Sequence, residues 1–144
     1  MPFPEIGRLI KLVARLRSPG GCPWDRAQTH ASLVRFLREE SKELEKALKR
    51  GRWHEIEDEL GDLLLQVLLH ARIKEEEGRF DIEDVARSQY LKLRRRHPHV
   101  FGKRRLKTAG QVLANWASMK AEERNLREAD LSRRARSRIK RGSK

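Results

Sequence analysis

The fold is decided by residues 57–71, which read Glu57-Asp58-Glu59-Leu60-Gly61-Asp62-Leu63-Leu64-Leu65-Gln66-Val67-Leu68-Leu69-His70-Ala71. The stretch begins acidic, and between residues 63 and 69 only Gln66 is polar. A surface helix needs a polar face, so this composition predicts a central helix enclosed by protein on most sides. On a 3.6-residue period, Glu59 and Asp62 lie one turn apart beside an apolar seam. The seam consists of Ile56, Leu60, Leu63 and Val67. We therefore expect two carboxylates to point towards the core.

A second helical pattern precedes this stretch, from Ser32 to Arg50. Its apolar stripe consists of Leu33, Phe36, Leu37, Leu44, Ala47 and Leu48. Glu40 and Glu43 fall where that stripe would otherwise continue. Gly51 is typical of a C-terminal helix cap, and the short link through Gly51 and Arg52 predicts an antiparallel hairpin with the central helix.

The acids of the two helices are placed symmetrically about Gly51. Glu43 and Glu59 are each eight residues from it, and Glu40 and Asp62 are each eleven residues from it. Since a helix rises about 1.5 Å per residue and packed helices lie about 8–10 Å apart, four carboxylates can converge on one volume. Unpaired carboxylates that lose water are costly, and a hard divalent cation compensates for them. The spacing favours Mg²⁺.

A charged surface hairpin is the alternative interpretation of these acids. Lys42, Lys46 and Arg52 could screen them, and Glu-rich helices are common. The symmetry about Gly51 favours the metal site.

The same acids carry a resemblance to a known family. Glu39-Glu40-Ser41-Lys42-Glu43 followed by Glu59-Leu60-Gly61-Asp62 is similar to the Glu-Glu-x-x-Glu and Glu-x-x-Asp signature of the MazG nucleotide pyrophosphohydrolases. The likeness covers about residues 6 to 123. It extends through Gly21-Cys22-Pro23-Trp24-Asp25, Gln28-Thr29-His30, Ala71-Arg72-Ile73, Glu76-Glu77-Gly78-Arg79-Phe80 and Arg95-Arg96-His97-Pro98-His99-Val100-Phe101-Gly102. The chain departs from the family at Ser41-Lys42, where a small residue and an aromatic are common, and in carrying one such domain where many members carry two.

The resemblance implies an all-α helical bundle built on the hairpin, and hydrolysis of nucleoside triphosphates between the α- and β-phosphates. It implies that Mg²⁺, with Mn²⁺ as a substitute, is held by Glu40, Glu43, Glu59 and Asp62. Glu39 is expected to be a further ligand or to orient the attacking water. One hairpin leaves one side of this site open, so we also expect a homodimer or a higher homo-oligomer whose second subunit completes the bundle.

Two further groups are candidates for binding the substrate. Lys92 and Arg96 lie one turn apart on a helix predicted from Asp81 to Arg96, and such a pair would suit the phosphates. The alternative is a solvated basic face. Trp24 lies in a predicted loop, residues 22–28, and would pack near the base or the ribose. The alternative is a Trp that only plugs the hairpin. The preferred base and sugar stay open.

Charge is distributed unevenly along the chain. The sequence has 144 residues and a formal net charge of +13, of which residues 92–107 contribute +8 and residues 124–144 contribute +7. The length fits one domain, residues 1–123, ending in a helix over 110–123 with Val112, Leu113, Trp116 and Met119 inward. The tail 124–144 lacks an apolar stripe and is expected to be disordered, with non-specific nucleic-acid contact. A non-catalytic, helical nucleic-acid-binding protein is the alternative function, although such a protein has no use for the acidic cluster.

The remaining features bear on compartment and metal type. A single cysteine, Cys22, excludes an internal disulfide and fits a reducing compartment. The sequence shows no signal peptide and no apolar run long enough to span a bilayer, so we expect a cytoplasmic protein without a membrane partner. His70, His97 and His99 could indicate zinc, but with one cysteine we expect them to serve packing and hydrogen bonding.

Overall fold

The computed structural model describes residues 3–141, including every side chain in that range except Arg127 and those of residues 130–141. The described backbone contains α-helices and no strand, which confirms the all-α prediction. The helices are α1 Pro4–Arg17, α2 Pro23–Ala27, α3 His30–Arg50, α4 Trp53–Glu76, α5 Ile82–Arg96, α6 Pro98–Phe101 and α7 Ala109–Arg141. No helix among the described residues combines the length and apolar character needed to cross a bilayer.

Contacts within the chain separate it into two compact units, Met1–Ala86 and Arg87–Lys144. The sequence predicts one domain up to residue 123, whereas the chain changes from one set of contacts to another within α5. Ile82, at the start of α5, packs against the first core, and Arg96, at its end, bonds to α7. The domain boundary at residue 123 stays a prediction.

The α3–α4 hairpin forms where the sequence predicts it. Thr29 caps α3, because its Oγ1 accepts from Ser32 N at 3.2 Å and its own N–H donates to Ser32 Oγ at 2.9 Å. α3 ends at Gly51, whose φ of 72° is left-handed and whose N–H donates to the Ala47 carbonyl at 3.0 Å. Only Arg52 separates this cap from the first residue of α4.

The core of the first unit lies between α1, α3 and the second half of α4. Its buried residues are Val13, Leu33, Leu68, Leu69 and Ile73, flanked by Leu9, Ile10, Phe36, Leu65 and Ile82. On α1, Val13 is buried in this core and Leu9 and Ile10 pack against it, whereas Ile6 is exposed. The core therefore draws on three helices and leaves the tip of the hairpin outside.

The prediction that α4 is enclosed on most sides is wrong for one face of the helix up to Val67. Leu60, Leu64 and Val67 are 51%, 36% and 42% exposed, and Leu48 on the facing helix is also exposed. The reason is geometric: α1 and α3 cover one side of α4, and among the described residues of the first unit no further helix packs on the other side. The apolar composition of α4 is real, but a single unit does not bury all of it.

In the second unit, hydrogen bonds join α7 to the end of α5 and to the segment between α6 and α7. Trp116 Nε1 donates to the Arg96 carbonyl at 2.9 Å, and Arg104 Nη1 donates to Oδ1 of the buried Asn115 at 2.6 Å. The inward placement of Trp116 is confirmed, whereas Leu113 is 61% exposed.

The last helix is longer than the sequence analysis predicts. α7 continues to Arg141, so the expectation of a disordered tail after Glu123 is wrong for residues 124–141. Arg, Ala, Leu, Lys and Glu are strong helix formers, and no Gly or Pro interrupts residues 111–141. A polar composition prevents core formation but does not end a helix. Residues 142–144 lie outside the described part of the chain.

Candidate functional site

The hairpin brings three predicted acids together. Glu40 on α3 and Glu59 and Asp62 on α4 each offer one carboxylate oxygen, and these three atoms lie within 4.8 Å of one another. Glu40 and Glu59 are half-buried and Asp62 is exposed. Around Mg²⁺, opposite ligands at 2.0–2.1 Å stand about 4.2 Å apart. An all-oxygen donor set at this spacing fits one hard cation after small side-chain rotations.

Electrostatic repulsion marks the same acids. Burial raises the pKa of Glu40, and neighbouring carboxylates raise it further, in the order Asp62, Glu39, Glu59 and Glu43. Burial also raises the pKa of Glu59, with Asp62 as the largest charge contribution. The structure thus holds like charges near one another, an arrangement that a divalent cation relieves.

Glu43, the fourth predicted ligand, lies beside this group but not in it. Its Oε1 accepts from Lys46 Nζ at 2.7 Å, and this hydrogen bond is the main reason for its lowered pKa. Its charge still raises the pKa of both Glu40 and Glu59, so it is close to them. Ligation by Glu43 stays a prediction, and it requires the side chain to leave Lys46.

Glu39 precedes Glu40 on α3, and its side chain is exposed. Its charge is one of those that raise the pKa of Glu40, so it acts on the cluster electrostatically. A role as a further ligand or in orienting water stays a prediction.

Trp24 lies on the short helix α2, where the sequence analysis predicts a loop. Its ring packs edge-to-face on Phe36 with centroids 5.6 Å apart, yet half of the residue is exposed. Phe36 contacts the core and lies one turn before Glu40 on the same face of α3. Trp24 is therefore anchored to the hairpin and still presents ring surface, so stacking on a base or ribose stays a prediction.

Lys92 and Arg96, the predicted phosphate-binding pair, line one cavity of about 170 Å³ in the second unit. The other lining residues are Lys120, Glu123 and Arg124. Glu123 accepts hydrogen bonds from Arg96 and Arg95. These bonds lower the pKa of Glu123 to about 2, and the bond from Arg96 has the largest effect. The pair thus shares a basic cavity, as its one-turn spacing predicts, and its binding role stays a prediction.

Sequence analysis missed the α7 side of this cavity. It assigned α7 an inward apolar face and did not consider its charged residues. Lys120 lies four residues after Trp116, and Glu123 and Arg124 lie three and four residues after Lys120; this periodicity is the signal that places them on one side of α7.

Among the histidines, the structure shows packing and hydrogen bonding. His70 Nδ1 lies 2.7 Å from His30 Nδ1, and the two rings stack in parallel, a pair that the sequence analysis did not anticipate. His97 Nδ1 bonds to the Leu93 carbonyl, and its ring contacts Trp116. Within the described residues, the one group with metal-ligand spacing is the carboxylate cluster.

Comparison with known proteins gives a consistent result. The sequence pattern of the MazG nucleotide pyrophosphohydrolase domain matches residues 28–101. The nucleoside triphosphate pyrophosphohydrolase of Escherichia coli strain K12 is 44% identical over 121 residues, which cover 83% of this chain and 46% of that protein. The nucleoside triphosphate pyrophosphohydrolase/pyrophosphatase MazG of Thermotoga maritima is 46% identical over 121 residues, with 84% and 46% covered. The chain therefore spans about half the length of these two relatives.

A solved structure agrees with the fold. The crystal structure of a mazG-related protein from Thermotoga maritima superposes with a TM-score of 0.65 and 26% identity, covering 80% of this chain and 98% of that one. The matched domain takes up more than half of the chain and includes Glu40, Glu59 and Asp62. The chain belongs to the MazG nucleotide pyrophosphohydrolase domain family.

Proposed function

We propose that this chain is a hydrolase that converts nucleoside triphosphates to nucleoside monophosphate and pyrophosphate. The observation that carries the proposal is the convergence of Glu40, Glu59 and Asp62 on a helix hairpin that the family pattern matches. The two curated relatives described above are named for this activity, which supports the proposal for this chain. The alternative, a non-catalytic nucleic-acid-binding protein, leaves the three carboxylates without a use.

The acids would hold the metal. Glu40, Glu59 and Asp62 would bind Mg²⁺ through one oxygen each, and Glu43 would join them by exchanging Lys46 for the cation. When bound, Mg²⁺ polarises phosphoryl oxygens and lowers the pKa of a coordinated water. Glu39 is exposed next to Glu40, so it would orient the attacking water or accept its proton. No side chain needs to act as a nucleophile.

The remaining candidates would bind the substrate. Lys92 and Arg96 would make charge-assisted hydrogen bonds to phosphate oxygens, since a triphosphate carries more negative charge than one Mg²⁺ neutralises. Trp24 would stack its exposed ring surface on the base or the ribose. Each group would help to hold its part of the substrate in the orientation that in-line attack requires.

We also propose that the active form is a homodimer. Leu60 and Leu64 are exposed on the half of α4 that carries Glu59 and Asp62, and Val67 is exposed just beyond it. A self-complementary contact through this face would remove the apolar residues from water and enclose the acidic site.

We place the protein in the cytoplasm, where the free thiol of Cys22 fits the reducing conditions.

The proposal is tested by identifying the products. With Mg²⁺ and a panel of ribo- and deoxyribonucleoside triphosphates, chromatography should show monophosphate and pyrophosphate. Diphosphate and orthophosphate as main products would overturn the proposed reaction.

A matched pair of variants tests the metal assignment. Glu59→Gln should lose most of the turnover, whereas Glu45→Gln should keep it, because Glu45 is an exposed acid on α3 that pairs with Lys49. Full activity in Glu59→Gln would overturn the assignment of the site.

A further inference from the structure

Glu123 joins two arginines in the second unit. Its Oε2 accepts from Arg96 Nη2 at 2.5 Å and its Oε1 accepts from Arg96 Nε at 3.2 Å, so the two side chains meet in a two-point contact. The same Oε1 accepts from Arg95 Nε at 3.1 Å and Nη2 at 2.6 Å. The Arg96 and Glu123 side chains are 17% and 15% exposed, whereas the Arg95 side chain is 52% exposed. Arg96 is therefore the better-shielded partner.

α7 also holds the backbone of Arg96. Trp116 Nε1 donates to the Arg96 carbonyl at 2.9 Å. Trp116 and Glu123 are seven residues apart, about two helical turns, and so share one face of α7. Arg96 is thus fixed at its main chain by one residue of α7 and at its side chain by another.

The two-point contact leaves Arg96 with donors to spare. A guanidinium has five N–H groups in a fixed plane, and the bonds to Glu123 use Nε and Nη2. Both N–H groups of Nη1 remain for a further acceptor. A phosphate is suited to them, because arginine binds phosphate through paired donors in a plane.

Without Glu123, the cavity would have no negative charge among its lining residues. Lys92, Lys120 and Arg124 line it together with Arg96, and these four cations repel one another. An arginine side chain has many rotamers, so loss of Glu123, the carboxylate partner of Arg96 among the described side chains, would release the guanidinium from one orientation.

We propose that Glu123 is a positioning residue: it fixes the guanidinium of Arg96 so that its remaining N–H groups are presented to the phosphates of the triphosphate substrate. The inference rests on the proposed function, in which Arg96 binds those phosphates. Glu123 itself does not touch the substrate and acts through Arg96.

The test uses the full chain with Mg²⁺ and measures KM and kcat for pyrophosphate release. Glu123→Gln should raise KM about tenfold, the size expected when one charge-assisted hydrogen bond is weakened, and leave kcat within about twofold. Glu122→Gln is the matched control: the same charge is lost one residue away, on an exposed side chain, and KM should stay at the wild-type value. Glu123→Asp keeps the charge and should restore part of the loss.

A double-mutant cycle separates positioning from a merely structural role. Arg96→Ala should raise KM, and adding Glu123→Gln to it should raise KM no further, because the residue through which Glu123 acts is already gone. The inference is overturned if Glu123→Gln leaves KM unchanged, or if it raises KM equally in the Arg96→Ala background. It is also overturned if Glu123→Gln lowers kcat and helical circular dichroism together without a change in KM.

Failure of the proposed function gives a different pattern. If the wild-type chain releases no pyrophosphate, or if Arg96→Ala leaves KM unchanged, the assignment of Arg96 fails and the inference falls with it. If Arg96→Ala raises KM and Glu123→Gln does not, the inference alone fails.

Discussion

Glu40 is a side chain whose effect on folding should depend on whether a cation is bound beside it. It is half-buried, and burial together with the carboxylates around it raises its pKa, so its charged form is disfavoured in the folded chain. A cation bound at the cluster would reverse the sign of this contribution, because it would turn repulsion into ligation. The residue should therefore have opposite effects on stability with and without metal.

We expect Glu40→Gln to melt at the wild-type temperature or slightly above it in chelator, because the change removes one repelling charge. At Mg²⁺ about 100-fold above its Kd, binding stabilises a site by about 2.7 kcal/mol, so wild type should gain roughly 5–10 °C in a chain of this size. Glu40→Gln should gain little. Thermal melts with Mg²⁺ and with EDTA measure both effects, and a wild-type melt that ignores Mg²⁺ would contradict the site.

The His30–His70 pair has a constraint that follows from its geometry. With 2.7 Å between the two Nδ1 atoms, one nitrogen must donate and the other must accept. Two imidazolium rings cannot satisfy this, since both Nδ1 atoms would carry protons. Burial lowers the pKa of His70, and the charge of His30 lowers it further. Glu77 faces His30 closely enough for His30 to lower the pKa of Glu77, which partly offsets the cost of a charge on His30.

The sign of the pH effect follows from that lowered pKa. Below about pH 6.5, the ordinary pKa of histidine, His70 binds a proton more readily in the unfolded chain than in the folded chain. The contribution of His70 to the free energy of unfolding is therefore fully present above that pH and declines as pH falls through it. We expect the wild-type melting temperature, measured in EDTA, to fall from pH 7.5 to pH 5.5. His70→Asn should flatten this decline, and the control His54→Asn, at an exposed histidine of α4, should not. An equal decline in His70→Asn would contradict the prediction. The comparison with His70→Asn is needed because Glu40 and Glu59, whose pKa values are raised, change the stability in the opposite direction as pH falls.

At the scale of elements, the sequence predicts most of the helices, because their ends carry local signals. The Gly51 cap and the apolar period of α3 are read within a few residues of the chain. α2 and α6 are missed because one or two turns are too short to show a period. The extension of α7 is missed because the lack of an apolar stripe was taken as a sign of disorder.

The candidate site follows the same division. Glu40, Glu59 and Asp62 can be predicted to converge because spacing about a single turn determines their height on the hairpin. Spacing alone does not decide whether Glu43 pairs with Lys46 or joins the cluster, because the i,i+3 spacing allows the pair and the symmetry about Gly51 allows the cluster. The contact of Glu123 with Arg96 joins residues 27 positions apart and depends on how α5 and α7 pack.

The extension of α7 should be dispensable for chemistry. Residues 130–144 contain seven Lys or Arg and one acid, and a chain that stops after Ala129 keeps more than one helical turn beyond Glu123 and Arg124. We expect its turnover to stay within about twofold of the full chain, because a group of basic residues raises the rate of encounter with anionic ligands but does not position a substrate. Non-specific DNA binding should weaken, with a shallower dependence on salt.

A full-length control separates charge from helix length in that experiment. Changing Arg133, Arg134, Arg136 and Arg138 to Gln removes charge and keeps the chain. It should reproduce the loss of DNA binding with unchanged turnover. Loss of hydrolysis in both variants would place the extension within the catalytic machinery.

At the scale of the whole molecule, the main question is what covers the first half of α4. Leu60 and Leu64 are exposed there and Val67 is exposed just beyond it, whereas other residues of the second half of the same helix provide most of the core. A helix with this composition is stable in water only when its apolar face is covered. The proposed homodimer answers that need with a second copy of the same face.

We expect Leu64→Glu to shift the chain towards monomer and to weaken association by at least about tenfold, since an interface would have to bury an unpaired charge. Leu113→Glu is the control, because Leu113 is equally apolar and 61% exposed on α7 in the other unit. Light scattering or sedimentation over a range of concentrations measures the change. A wild-type chain that is monomeric throughout the range would contradict the dimer.

The exposed face of α4 also bears on how the activity is recorded. Glu59 and Asp62 lie on the same part of the helix as the exposed apolar residues. A site completed by a second subunit would therefore form only in the fraction of chains that are dimeric. Specific activity would then fall when the protein is diluted below the dissociation constant of the dimer. A rate measured at nanomolar protein would be lower, per chain, than the rate at concentrations at which the dimer forms.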